Sequence, residues 1–142
     1  MTDPVALTGE ILGVWGAGGF NDANAMDNCR KYFTADVVFE FENNYKNVSG
    51  YKVYNGHQGV LDWCTWLAEN IELQGFVPTV FSGPDSDTAM VRLFAEGMTC
   101  KATGKTTPPV TDMEQFTFVD GKCSKCQMFF GNASVLDAAF TA

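Results

Sequence analysis

Met113-Glu114-Gln115-Phe116-Thr117-Phe118-Val119-Asp120-Gly121-Lys122-Cys123-Ser124-Lys125-Cys126-Gln127-Met128-Phe129-Phe130 is the stretch on which the fold turns. Its first half alternates with the period of two of a half-buried strand, so Glu114, Phe116 and Phe118 share one face and Met113, Gln115 and Thr117 the other. Asp120-Gly121 is a hairpin signal. The return strand then puts Cys126, Met128 and Phe130 together. A three-residue loop, Val119-Asp120-Gly121 with Gly121 in the left-handed position, sets Phe116 opposite Ser124 and Glu114 opposite Cys126. A slip of one residue would send every one of these side chains to the opposite face.

Outward from the hairpin, two more strands precede it, Phe76–Phe81 and Thr88–Ala102, separated by Gly, Pro, Asp and Ser. The second reads equally well with Met90, Arg92 and Phe94 inward or with Val91, Leu93 and Ala95 inward. Before them, His57–Ile71 is the best helix in the chain. Val60, Trp63, Cys64, Leu67 and Ile71 form its apolar stripe, while Asp62, Thr65 and Glu69 face away. A polar loop from Asn43 to Gly56 separates this helix from a strand at Val37–Glu42, in which Val37, Phe39 and Phe41 share a face and Glu40 and Glu42 point to solvent. Upstream lie a helix at Ala23–Phe33 and a first helix that opens on Asp3-Pro4, a cap followed by a proline suited to the first turn. That helix runs through Trp15 and stops in Gly16-Ala17-Gly18-Gly19. A short helix at Ser134–Phe140 closes the chain. Helices first, then a long helix, then a run of strands predict an α+β domain with an antiparallel sheet covered by helices. No linker, repeat or change of composition divides the 142 residues, so a single domain over 1–142 is expected.

Hydrophobic residues make up 46% of the chain and charged residues 18%, the composition of a globular protein. Twelve phenylalanines are more than a thin core hides easily, and a ligand cavity is a natural place for such rings. The net charge of −8, with only nine Lys and Arg, argues against nucleic acid and anionic membrane as partners. No apolar run approaches the ~20 residues that span a bilayer. Met1–Ala6 shows no secretory signal, so a cytoplasmic location is expected, a removed transit peptide aside. In that compartment the glycosylation sequons at Asn47 and Asn132 have no role. The five cysteines have no framework spacing and are expected to be reduced thiols.

Glu114 stands out, because its face also carries Phe and faces Met and Cys. An ionised acid there is costly, so it would hold its proton and serve as a hydrogen-bond donor or general acid or base. The bland alternative is a solvated residue at the strand's end. The aromatic and soft residues of the inward faces, Trp15, Phe39, Phe41, Trp63, Phe116, Phe118, Cys126, Met128 and Phe130, are the expected ligand contacts. Cys123 and Cys126, three apart on a strand, should point to opposite faces, and no second Cys or His pair completes a zinc site. Neither metal nor cofactor is expected. His57, the single histidine, falls in the first turn of the long helix and reads as a solvated position.

Asn21-Asp22, Tyr32-Phe33-Thr34-Ala35-Asp36-Val37-Val38-Phe39, Tyr54-Asn55-Gly56, Thr103-Gly104-Lys105 and Phe116-Thr117-Phe118-Val119-Asp120-Gly121-Lys122 occur in an order with a known counterpart. In these motifs the chain resembles the nuclear transport factor 2-like superfamily, in particular its SnoaL-like polyketide cyclase and ketosteroid isomerase branch. The resemblance implies a cone: a curved sheet roofed by about three helices around a deep apolar pocket. It also implies sheet-to-sheet homodimers. Of the isomerases' catalytic groups, the first-strand base falls at Phe41 and the oxyanion-binding tyrosine near Val14 or Trp15. Only the second oxyanion-hole acid has a counterpart, Glu114. The cyclases' acid/base aspartate falls near Gly131 or Asn132.

Three functions therefore stand side by side: acid/base chemistry of isomerase, cyclase or hydratase type on an apolar carbonyl compound, non-catalytic binding of an apolar small molecule, and a scaffold or assembly role. A homodimer is expected through the convex sheet face, where Met113, Gln115, Thr117, Gln127 and Phe129 are apolar or uncharged.

Overall fold

The hairpin forms, by a tighter turn than expected. In a computed structural model, which describes residues 3–42, 47–131 and 133–141, β7 (Val110–Val119) and β8 (Lys122–Phe129) are joined by Asp120 and Gly121 alone. Both have positive φ, 50° and 80°, the signature of a two-residue turn that matches strand twist. Val119 pairs with Lys122 and Phe118 with Cys123, after which the register shifts, and Phe116 faces Cys126 and Glu114 faces Met128. Ser124 is the extra residue of a β-bulge. The expected register is thus off by two residues, an even slip that keeps the inward set inward. The bulge has a second effect. It turns Cys123 and Cys126 to the same side, and both are fully buried, against the expected alternation.

Beside β8 runs β1 (Phe33–Phe41), and it runs parallel, Phe39 level with Cys126 and Phe41 with Met128. The sheet is therefore mixed rather than antiparallel, because the chain leaves β1, crosses over and arrives at β8 in the same direction. With β2 (Tyr54–Asn55), β4 (Val77–Ser82) and β5 (Thr88–Ala95), its order is β2-β1-β8-β7-β5-β4. The long strand expected over 88–102 breaks at Glu96. Its second part, β6 (Gly97–Cys100), pairs instead with β3 (Ile71–Gln74) in a small two-stranded sheet. In β5, Ala89, Val91 and Ala95 are buried and Arg92 is exposed, which decides the open register in favour of Val91, Leu93 and Ala95 inward.

Among the described residues four helices accompany the sheets: α1 (Pro4–Gly16), α2 (Ala25–Tyr32), α3 (Gly56–Asn70) and α4 (Ala133–Phe140). Asp3 caps α1, its Oδ1 accepting from the Val5 amide at 3.0 Å. The glycines after it end the helix, with Gly18 at φ 80°. The helix α3 packs on β1, and α1 packs on β4, β5 and β7. Ile11, Phe33, Val37, Val60, Trp63, Val91, Met128 and Leu136 belong to one continuous core. Among the described residues no helix is long and apolar enough to cross a membrane. Part of the polar loop (43–46), the start of the chain (1–2) and the sequon residue Asn132 lie outside the described residues.

Candidate functional site

Where α1, α3 and the inner face of the sheet fail to close on one another, they leave a cavity of about 100 Å³. That is several times the ~10–15 Å³ needed to seat one water. From α1 come Ile11, Leu12 and Trp15, from α3 Val60, Trp63, Cys64 and Leu67, and from the sheet Phe39, Leu93, Asp112, Glu114 and Phe116. Nine aromatic side chains take part, among them Phe20, Phe33, Tyr51, Phe76 and Phe130. Among the described residues the wall contains no lysine, arginine or histidine, and its only ordinarily charged members are Asp112 and Glu114.

These two acids are alternate residues of β7, so the strand's period aims both inward, about 6.6 Å apart along the chain. Glu114 is 8% exposed and Asp112 only 1%. Burial pushes the Glu114 carboxyl up to about 7. The Cys126 thiol, donating to its Oε2 at 3.6 Å, opposes that shift, and the charge of Asp112 reinforces it. Burial likewise pushes Asp112 up to about 7, with the Gly131 backbone as the opposing influence. Yet neither Asp112 oxygen has a partner in normal hydrogen-bond geometry among the described residues. A buried carboxyl with both oxygens idle is costly in either protonation state, and the cavity is the place from which a partner can reach it.

The expected contacts divide. Trp15, Phe39, Trp63, Phe116 and Phe130 line the cavity, as does Glu114, which is buried rather than solvated. Phe41 does not. It stacks on Tyr51 at 4.5 Å and meets Trp63 and Phe130 edge-on, backing the wall from behind. Phe118, Cys126 and Met128 point inward as expected, but that part of the face is packed solid, and they are 6%, 0% and 0% exposed. Cys126 still touches the site through Glu114. His57 is not simply solvated: it is half-buried, and its Nε2 lies 3.0 Å from the Phe33 carbonyl oxygen, tying α3 to the start of β1. Asp112 escaped the sequence reading. The signal lies in the same alternation that marks Glu114, two residues back, in the part of β7 that precedes the stretch from Met113.

Comparison with solved structures puts a name to the architecture. The chain superimposes on an NTF2-like protein from Burkholderia xenovorans with a TM-score of 0.79, covering 97% of this chain and 95% of that one at 14% identity. This is the nuclear transport factor 2-like fold. Two further structural neighbours carry functional names given provisionally, an isomerase from Bacillus subtilis and a SnoaL-like polyketide cyclase from Mesorhizobium loti. The first matches at 19% identity, 98% and 96% coverage and a TM-score of 0.73. The second matches at 18%, 92% and 100%, and 0.66. No protein-family model matches the chain, and no curated protein matches it. Likeness at this level of identity establishes the NTF2-like fold alone, and such folds host unrelated chemistries.

Proposed function

We propose that the protein is an acid/base enzyme acting on a small, apolar carbonyl compound, with Asp112 and Glu114 as its working pair. The observation that carries this reading is the idle Asp112 carboxyl beside a second buried acid, both opening on an aromatic cavity. Two carboxyls that repel each other and resist ionisation release their protons one after the other, so near neutral pH the pair holds about one proton between them. One member is then an acid and the other a base. Glu114, whose proton the neighbouring charge of Asp112 helps to hold against the Cys126 thiol on Oε2, is the member that hydrogen-bonds the carbonyl oxygen. Asp112, with free oxygens, removes the proton from the neighbouring carbon. The product is an enol, from which isomerisation or aldol cyclisation can proceed, and which is also the species formed when water adds to a conjugated double bond. The absence of cationic groups from the wall fits a neutral substrate.

Incubation with small apolar ketones in D₂O tests this by following deuterium entry at the α-carbon with NMR. Glu114→Gln preserves shape and hydrogen bonding but removes the exchangeable proton, and Asp112→Asn does the same at its neighbour. Each change is expected to slow exchange by ~10²–10⁴-fold, while affinity for an apolar ligand changes little. Exchange in neither the wild type nor the variants, with binding intact, favours the second reading, a carrier that uses only the aromatic walls.

A further inference from the structure

Beside the inner cavity lies a larger one of about 450 Å³. The two share Trp15, Cys64, Leu67, Ile71, Leu73 and Phe76, so the same side chains line both. Trp15 and Phe76 meet edge-to-face within that shared wall at 5.6 Å. Beyond these residues the character changes. The outer chamber adds Asn21, Ala68, Glu72 and Lys101, all exposed, at the junction of α3 and β3. The Lys101 ammonium does not swing freely, since Nζ donates to the Ala68 carbonyl at 2.6 Å and the Lys101 amide to that of Asn70 at 2.9 Å.

We propose that the site is built in two chambers for an elongated amphipathic ketone, its carbonyl end inside and a neutral, hydroxyl-bearing tail in the outer chamber. This rests on the acid/base reading of the inner cavity. Size and charge support it independently. The inner cavity alone is far below the ~300–1,000 Å³ usual for ligand sites, whereas both chambers together come within that range. An anionic end cannot enter first, because the inner wall offers two carboxyls and no cation. Nor does the outer chamber favour net charge, since Lys101 and Glu72 balance. What it offers is hydrogen bonding from Asn21, Glu72 and Lys101, which suits a hydroxyl. Leu67, Ile71 and Leu73, which line both chambers, would contact the apolar middle.

Calorimetric binding and α-deuteration are measured together for a short alkyl methyl ketone and a long-chain methyl ketone with a terminal hydroxyl. The long ketone is expected to bind at least about tenfold tighter, since each buried methylene contributes roughly fourfold. Ala68→Trp fills the outer chamber without lining the inner one, and it should abolish that advantage. Lys101→Met should reduce it. Equal affinities in the wild type, an advantage that survives Ala68→Trp, or no binding of either ketone overturns the two-chamber proposal. Deuteration without a length advantage leaves the acid/base reading standing and removes this one. A length advantage that depends on Ala68, without deuteration, does the reverse.

Discussion

Asp112 folds with a buried carboxyl whose oxygens lack a well-formed hydrogen bond among the described residues, and together with buried Glu114 it makes the protein's stability depend on pH. In the unfolded chain both inner acids titrate near ~4, whereas in the fold they titrate at about 7. Between those values the folded state still holds protons that the unfolded state has released. Stability is therefore fully present below ~4 and is lost as pH rises towards 7, by an amount on the order of a few kcal/mol. The melting temperature should fall steadily from pH 5 to pH 8. Asp112→Asn together with Glu114→Gln should flatten the curve and raise the melting temperature at pH 8; a wild-type curve flat between pH 5 and pH 7 would contradict the assignment of both acids. The thiols carry a second prediction at this scale. All five cysteines are buried and free. Burial pushes Cys64 and Cys123 up to about 12 and Cys29 to about 11. Reaction with a disulfide reagent should accordingly be slow in the native protein and reach five thiols only on unfolding. Fast modification of Cys29, Cys100, Cys123 or Cys126, none of which lines a cavity, would show an opening that these positions do not have.

The hairpin of β7 and β8 places both acids, so its turn is a structural prerequisite for the site. Gly121 sits at φ 80°, where an added Cβ costs ~1–2 kcal/mol. Gly121→Ala should lower stability by about that much in chemical denaturation, whereas Asp120→Asn, at φ 50°, should be nearly neutral because asparagine tolerates this region. Equal effects at the two positions would argue against the two-residue turn. The alternation of Glu114, Phe116 and Phe118 was plain in the sequence because one face is wholly buried, and burial enforces period two. The bulge at Ser124 was not, since nothing in Lys122–Lys125 distinguishes a strand that pauses from one that does not. For the same reason Cys123 was assigned to the wrong face. The parallel pairing of β1 with β8 was equally hidden: it is a long-range relation that no local pattern encodes. The break at Glu96 had only Gly97 to mark it. Its small sheet matters, because Ile71, Leu73 and Met98 from β3 and β6 complete the cavity wall.

At the scale of the molecule, the sheet has a second face that the cavity does not use. Its cross-strand row Thr79, Arg92, Met113 and Phe129 lies beside another formed by Phe81, Met90, Gln115, Gln127 and Glu40. Phe81 is 42% and Phe129 37% exposed, a large apolar outlay for a free surface. Glu40 pairs with Lys125 at 3.0 Å, which leaves Arg92 as the one unpaired charge in these two rows among the described residues. We propose that two copies of the chain pair through this face. Exposed hydrophobics on a twisted sheet, flanked by glutamines and threonines that can hydrogen-bond to their own copies, suit a self-complementary contact. Phe129→Lys puts like charges near the two-fold axis and should convert the dimer to a monomer, while its outward direction spares the cavity. Light scattering at micromolar concentration should give twice the chain mass for the wild type and the single mass for the variant. Ligand binding should persist in that monomer, because Phe129 lies on the sheet face opposite the cavity. A wild-type protein of single mass at that concentration would leave the outer face without the partner proposed for it.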